Sequence, residues 1–237
     1  MPAGPSEMPV SSEPPPTPVP GTFLAMLDER ERDALLALGR RRRFGARTVL
    51  IFEDDSDEQV LILLSGRVKV TQDSHGGREI ILSIRDPGDI LGELGFIDRR
   101  PRAATVSALE DVEAMAVAGR LFREHLESTP RVAVVLLETV ARRFRDATAR
   151  RSERVASDTM GRLAARMVEL GERYGTPSDG VIAIDSPLSQ DELAQWTGAS
   201  RAGVAQALQA MRELGWIQTT RRRLTLVKPD ALRARAS

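Results

Sequence analysis

The period of the hydrophobic pattern changes near Gly119, and this change limits the folds open to the chain. From about residue 47 to residue 117, apolar and polar residues alternate in short runs separated by Gly, Pro and Asp. This pattern predicts strands joined by tight turns, at 48–52, 60–64, 66–72, 79–84, 104–108 and 111–117. Many short strands favour an antiparallel barrel or jelly roll. Because the spacing becomes helical beyond Gly119, the expected fold class is α+β with the antiparallel β jelly roll first.

The segments that flank the predicted roll differ from it in composition. Eight prolines crowd residues 1–20, so this stretch is predicted to be a disordered or extended tail. Thr22 is then expected to cap a helix that runs to about Leu38. We divide the rest of the chain into a roll with flanking helices at 21–128, a long helix at 129–157 and a C-terminal domain at 158–237.

A long helix is predicted over 130–156, with Pro130 in its first turn. Its apolar rows are too extensive for a solvated helix, so they must pack on the roll, on a second copy of the helix, or on both. Asp158 is expected to cap the next helix, which should end near Tyr174. A loop is predicted at 175–180, where Gly, Pro and Ser cluster.

Composition narrows the chemistry that the chain can perform. The 34 basic and 34 acidic residues cancel, so only local charge can indicate a partner. There is no cysteine, and His75 and His125 lack ligand spacing, so we expect no metal, haem or iron–sulfur cluster. No apolar run reaches the ~20 residues of a membrane helix and no signal peptide is evident, which favours the cytoplasm. No nucleophile–base pair or P-loop is found, so an enzyme is not expected.

The stretch GELGFIDRRPRAATV, which begins at Gly92, combines residue types that suit a nucleotide. Gly92 allows close backbone approach, and a helical turn that starts there would direct free N–H groups at a phosphate. Arg102 supplies a bidentate cation for the same phosphate. Glu93 is a hydrogen-bond acceptor, for which a sugar hydroxyl is the natural donor. The small residues Ala103 and Ala104 leave room for such a ligand.

A second motif, SQDELAQWTGASRAGVAQALQAMRE, predicts two helices joined by a tight turn. Ser189 and Glu192 form a capping box, and Gly198 stands where the turn needs a glycine. Ser200 can cap the second helix. A helical hairpin without DNA is the alternative, but the spacing matches a helix-turn-helix. The early residues of the second helix that are expected to face outward, into a major groove, are Arg201, Ala202, Gly203 and Gln206.

The C-terminal segment is locally basic. Residues 201–237 hold eight basic and two acidic side chains, an excess that suits phosphate anchoring. The apolar stretches 216–218 and 224–227 are predicted to form a small wing. The turn between them carries the expected DNA contacts Arg221, Arg222 and Arg223.

Two parts of the predicted roll resemble cyclic-nucleotide-binding domains: PGDILGELGFIDRRPRAATV their phosphate-binding cassette, and LILLSGRVKV their early hairpin. The resemblance implies that Gly92 and Glu93 lie at the ribose end and that Arg102 binds the cyclic phosphate. Ala103 would offer its amide to that phosphate, and Leu94 is included in the expected site. Cassettes with alanine after the arginine favour cAMP over cGMP.

Across about residues 22–228 the architecture resembles the Crp–Fnr family of transcription regulators. The resemblance implies a homodimer formed through the 130–156 helix and a double-stranded DNA operator. It also implies that Arg143 and Thr148 of that helix approach the nucleotide. The chain is therefore expected to be a cAMP-controlled regulator in the cytoplasm, associated with the nucleoid.

The recognition helix departs from family members that read TGTGA, which usually carry arginine, glutamate and arginine. This chain keeps Arg201 but has Ala202 and Gln206. Arg201 can read guanine and Gln206 adenine, whereas Ala202 removes an acceptor for cytosine. Gly203 would permit close approach to the groove. The operator is therefore expected to differ from TGTGA.

Other departures leave alternatives open. Ala103 stands where many bacterial regulators have serine, and Ala147 replaces a polar residue that some members use to contact adenine. The effector could then be another cyclic mono- or dinucleotide, or the chain could act without a ligand. A cyclic-nucleotide-binding interaction subunit without DNA contact is a further alternative. The acidic run 53–58 reads as a solvated hairpin turn, with a contact to RNA polymerase as its alternative role.

Overall fold

The computed structural model describes residues 18–73, 77, 79–185, 188–220 and 223–236, without the side chains of residues 154–156. Most of the predicted N-terminal tail thus lies outside the described residues. The chain forms two compact units. One is built on residues up to Gln72 together with Leu82–Asp146, and the other on Asp73–Ile81 together with Ala147–Ser237.

Two four-stranded sheets form the predicted roll. Their orders are β1-β8-β3-β6 and β2-β7-β4-β5, and every pairing for which a register is described is antiparallel. The antiparallel roll expected from the sequence is therefore confirmed. The strands are β1 Arg40–Phe44, β2 Val49–Ile51, β3 Val60–Ser65, β4 Val68–Asp73, β5 Glu79–Arg85, β6 Ile90–Leu91, β7 Thr105–Ala108 and β8 Val112–Val117.

Strand β3 is apolar from Val60 to Leu64 because it is covered on both faces. Leu61 and Leu63 enter the cluster inside the roll, where Phe44 and Val106 also lie. The residues between them, such as Ile62, belong to a second cluster with the N-terminal segment and the helices after the strands. A continuous apolar run is the pattern expected of a strand that is buried on both sides.

Two strands of the roll were missing from the sequence prediction, and both lack the alternation that it relied on. Strand β6 has only two residues, and β1 reads RRRRF. Arg41 and Arg43 flank Glu113 on the adjacent β8, at 3.9 Å in the case of Arg41. Strand β1 lacks a continuous apolar face. Backbone pairing and these cross-strand ion pairs therefore hold it against β8.

The predicted helix from Thr22 to Leu38 is wrong in its start and its length. A short 3-10 turn at Leu24–Met26 precedes α1, Glu29–Leu36. Asp28 caps α1 in a capping box with Glu31, so this Asp-x-x-Glu pattern was the true start signal. The hydroxyl of Thr22 instead donates to Val19 O at 2.7 Å.

Three more helices complete the first unit: α2 Glu93–Asp98, α3 Gly119–Ser128 and α4 Pro130–Ala156, the last of which continues into the second unit. Helix α4 matches the predicted 130–156 helix and is about 40 Å long. One face of α4 is buried and packs on the roll, as expected; its residues are Val132, Val135, Leu136 and Thr139. A second apolar row, Val134, Leu137 and Phe144, is exposed. In the part of the chain that the structure describes, no helix has the length and apolar character of a membrane span.

The second unit contains the predicted helix pair and wing. Asp158 caps α5 as predicted and accepts from Gly161 N at 2.8 Å. The four strands are ordered β11-β12-β10-β9. The elements are α5 Thr159–Tyr174, β9 Gly175–Ser178, β10 Val181–Asp185, α6 Gln190–Thr197, α7 Arg201–Glu213, β11 Ile217–Thr219, β12 Arg223–Leu226 and α8 Pro229–Ala236.

The predicted loop at 175–180 is wrong, because most of it is β9. This strand lies at the edge of its sheet, where Pro177 pairs with Ile182. An edge strand tolerates proline because one side of it needs no N–H donor for pairing. Helix α8 was not predicted at all. It begins at Pro229 and is anchored by the buried Leu232.

Candidate functional site

Arg102 is a buried cation at the end of the cassette. Its side chain is 3% exposed, and its Nη1 donates to Gly92 O at 2.6 Å. Its Nη2 donates to the carbonyl of Gln59. Its Nε has no hydrogen-bond acceptor among the described residues, which leaves a buried donor available to a ligand.

The backbone around Gly92 brings Arg102 close to α2. Gly92 has a φ of +78°, a conformation that favours glycine. A Cβ at this position would lie 2.4 Å from Arg102 Nη1, so no larger residue fits without displacing the guanidinium. Gly92 and Arg102, two residues of the predicted site, are thus in direct contact through the Gly92 carbonyl and the Arg102 guanidinium.

Glu93 belongs to a buried ion cluster that includes the long helix. Arg143 of α4 donates to Glu93 Oε1 at 2.7 Å and to Asp89 Oδ1 at 2.9 Å. The side chains of Arg143, Asp89 and Glu93 are 12%, 10% and 8% exposed. Burial alone would lower the pKa of Arg143, but the charges of Glu93 and Asp89 and their hydrogen bonds raise it. The structure thus brings two predicted site residues, Glu93 and Arg143, into direct contact.

The other predicted pocket residues are more exposed. Leu94 is 46% exposed on α2, and Ala103, which follows Arg102 in the cassette, is exposed as well. Ala103 O accepts from Gln72 Nε2 at 3.3 Å, while the Ala103 amide has no acceptor within the described chain. Thr148 is exposed on α4 and belongs to the second compact unit. The roles expected of these residues stay predictions.

Sequence reasoning missed the charges around Arg102. A small cavity borders this side chain and is also lined by Asp55, Asp57, Gln59 and Arg42. Burial lowers the pKa of Arg102, against which the charges of Asp57, Asp55 and Glu93 act. Burial would raise the pKa of Asp57, but hydrogen bonds from the Gln59 side chain and backbone lower it overall.

These contacts test whether the cleft suits the expected ligand. Arg102 Nε and the Ala103 amide are two donors without an acceptor among the described residues. An anionic group needs such donors. Glu93 is an acceptor fixed in place by Arg143. The residues therefore fit a ligand that carries both an anion and hydroxyl groups. Within the described residues, no three His, Asp or Glu side chains come together as a metal site would need.

Helices α6 and α7 of the second unit begin at the caps that the sequence predicted. Ser189 and Glu192 make the capping box of α6, and Gly198 ends that helix with a φ of +65°. Ser200 caps α7 and accepts from Gly203 N at 3.1 Å. Buried apolar residues, among them Val204 and Met211, fix the rotation of α7 about its axis.

The four residues expected on the outward face of α7 differ in their exposure. Arg201, Ala202 and Gln206 are exposed as expected. Gly203 is half-buried, and a Cβ there would lie 3.2 Å from Ser200 Oγ and 3.6 Å from a methyl of Thr159. Gly203 is thus less exposed than the other three residues, because it precedes the buried Val204 and lies against Thr159. Its expected role at the DNA stays a prediction.

The predicted wing is present as β11 and β12, which pair with each other. Arg223 is exposed and lies 3.7 Å from Asp185, an ion pair that solvent screens. Arg221 and Arg222, the other two predicted contacts of this turn, lie outside the described residues.

Arginines of α5 connect the helix pair to the end of α4. Arg162 donates to Thr197 O, at the end of α6, and to Ser157 O, which follows α4. Arg166 binds Glu153 and Glu169, and its guanidinium lies 5.5 Å from the centre of the Trp196 ring. These contacts, which sequence reasoning also missed, pack the helix pair against the last turns of α4 within the second unit.

Comparisons with known proteins cover both halves of the chain. Residues 41–129 match the cyclic nucleotide-binding domain, and residues 161–235 match the Crp-like helix-turn-helix domain. The CRP-like cAMP-activated global transcriptional regulator of Mycobacterium tuberculosis is 30% identical over 184 residues, which cover 78% of this chain and 82% of the relative.

Solved structures share the fold at lower identity. A CooA mutant from Carboxydothermus hydrogenoformans aligns with a TM-score of 0.77 and 21% identity, covering 93% of this chain and 98% of that one. The c-di-GMP responsive global regulator CLP of Xanthomonas campestris aligns with a TM-score of 0.75 and 20% identity, covering 84% and 99%.

Proposed function

Because the chain belongs to the Crp–Fnr family of transcription regulators, we propose that it is a homodimeric DNA-binding regulator controlled by a cyclic nucleotide, with cAMP as the first candidate. The observation that carries this proposal is the contact between Glu93 and Arg143. It joins an expected ligand acceptor to the long helix. A regulator rather than an enzyme is proposed because the family consists of regulators.

The cleft residues would divide the nucleotide between them. Arg102 and the Ala103 amide would hold the cyclic phosphate, because one is a buried cation and the other a donor without an acceptor. Glu93 would accept a ribose hydroxyl. That hydroxyl would add a hydrogen bond to a carboxylate already bonded to Arg143, so ligand binding would change the hydrogen bonding around an α4 side chain.

The output would be DNA binding by two copies. The exposed apolar row on α4, Val134, Leu137 and Phe144, has the spacing of a helix–helix seam. A dimer formed along this row would present two α7 helices to half-sites about 34 Å apart. A ligand that favours one dimer geometry would shift the population of the DNA-binding state. Contact with RNA polymerase and a cytoplasmic, nucleoid-associated location stay predictions.

Calorimetry with cAMP tests the ligand part of the proposal. Wild-type protein should release or absorb heat on titration, and Arg102→Ala should weaken binding by about ten- to a hundred-fold, as expected for the loss of a charged hydrogen-bonding partner. Arg100→Ala is the matched control, because Arg100 lies in the same cassette and is exposed. Equal binding by wild type and Arg102→Ala would remove Arg102 from the site.

A different effector is the second candidate, and the alanines at positions 103 and 147 favour it. The same fold occurs in CLP, which is described as responsive to c-di-GMP. A thermal-shift panel of cyclic mono- and dinucleotides separates the cases. A shift with another nucleotide and none with cAMP identifies a different effector, and no shift with any member favours a ligand-independent regulator.

An interaction subunit without DNA contact is the remaining alternative. Fluorescence anisotropy with random duplex DNA at increasing salt distinguishes it. A DNA-binding protein should lose affinity steeply as salt rises, because phosphate contacts release counterions. Absence of binding at low salt would favour the interaction subunit.

A further inference from the structure

The exposed face of α7 carries two alanines between the residues expected to read bases. Ala202 and Ala205 are both exposed and three positions apart, so they lie next to each other on one helix face. Arg201 precedes them, and Gln206 follows them. We define these two alanines as the alanine strip. An exposed apolar strip of this kind offers methyl groups, and no hydrogen bond, to whatever α7 contacts.

The polar residues around the strip differ in their freedom to contact bases. Gln209 donates to Glu213 Oε1 at 2.9 Å, and Arg212 donates to Thr219 at 3.3 Å, so the later turns are engaged within the domain. Gln206 has no hydrogen-bond partner among the described residues. Arg201 is ion-paired with Asp191, but their side chains are 78% and 47% exposed, so this pair is easily exchanged for a DNA contact.

The chemistry of base edges gives the strip a ligand. In the major groove only thymine presents a methyl group, and apolar side chains such as alanine contact it. Cytosine presents an amino donor, which needs an acceptor that neither alanine supplies. We propose that the alanine strip selects thymine by its 5-methyl group, at base pairs between a guanine read by Arg201 and an adenine read by Gln206. This inference rests on the proposed DNA-binding function.

The experiment begins with selection of bound duplexes from a random library, using the full chain with and without cAMP. Each thymine of the enriched half-site is then replaced by deoxyuridine, which removes only the methyl group. We expect about a four-fold loss of affinity for each thymine that the strip contacts, the equivalent of one buried carbon. Ala202→Ser should reduce that loss, because its hydroxyl replaces part of the apolar surface.

Two variants make the test specific. Ala202→Glu should shift the preference at one position from thymine to cytosine, since a carboxylate accepts from the cytosine amino group. Gln209→Ala is the matched control on the same helix and should leave the selected sequence unchanged. A selected half-site that tolerates deoxyuridine at every position would overturn the thymine proposal while leaving DNA binding intact. If no sequence is enriched, specific DNA binding and the thymine proposal both fail.

Discussion

Removing Arg143 should destabilise the first unit far more than removing a surface arginine. In Arg143→Met the carboxylates of Glu93 and Asp89 would stay buried, at 8% and 10% exposure, without their shared cation. Breaking a buried ion pair from one side costs about 3–5 kcal/mol, a large part of the ~5–15 kcal/mol that stabilises a domain. Arg120→Met removes an exposed pair with Glu124 and should cost at most about 0.5 kcal/mol.

Urea denaturation followed with two probes measures this difference. The two tryptophans, Trp196 and Trp216, lie in the second unit, so their fluorescence reports that unit alone. Far-ultraviolet circular dichroism reports helices and strands of both units. We expect Arg143→Met to move the dichroism transition to lower urea with little change in the fluorescence transition, because the ion cluster lies in the first unit.

A rescue variant separates lost charge balance from lost packing. Adding Glu93→Gln and Asp89→Asn to Arg143→Met removes the uncompensated charges and should recover most of the lost stability. The reasoning is refuted if Arg143→Met costs less than about 1 kcal/mol, a cost typical of an ordinary substitution. It is also refuted if the rescue variant is less stable than Arg143→Met alone.

Two further predictions concern the cassette and the pH dependence of folding. Gly92→Ala should abolish cAMP binding in calorimetry and destabilise the protein more than Gly180→Ala does. Both glycines have positive φ, but only at Gly92 would a Cβ meet Arg102. If urea denaturation gives the two variants the same loss of stability, the crowding argument is contradicted. Burial lowers the pKa of His125, against the charge of Glu31, so the unfolded chain binds more protons and stability should fall as the pH drops below 6.5. His125→Gln should flatten the decline in Tm between pH 8 and pH 5.5, and an unchanged slope would exclude His125 as its source.

The cassette could be predicted because its chemistry is local in sequence. Gly92, Glu93 and Arg102 lie within eleven consecutive residues, and their residue types suggest one ligand. The partners that fix them are distant: Gln59 is 43 positions from Arg102, and Arg143 is 50 positions from Glu93. Only the pairing of strands and the packing of α4 bring these groups together, so no local pattern could reveal them.

The errors in the fold prediction have a similar origin. Strand β1 has no apolar period and forms because β8 offers Glu113 opposite its arginines. Thr22 does not cap a helix because no glutamate follows it three residues later, whereas Asp28 is followed by Glu31, which completes a capping box. The partial burial of Gly203 has the same origin, because the rotation of α7 about its axis depends on the residues that pack against it, such as Thr159, rather than on the helix sequence alone.

The exposure of the α7 face has an evolutionary consequence. Arg201, Ala202, Ala205 and Gln206 contribute nothing to the core, and surface substitutions usually change stability by no more than about 0.5 kcal/mol. Descendants of this gene can therefore acquire new operators by single mutations without passing through unstable intermediates. Arg102, Glu93 and Arg143 have no such freedom, since each is buried against another charge or carbonyl. After gene duplication, the set of controlled genes should diverge faster than the signal that controls them.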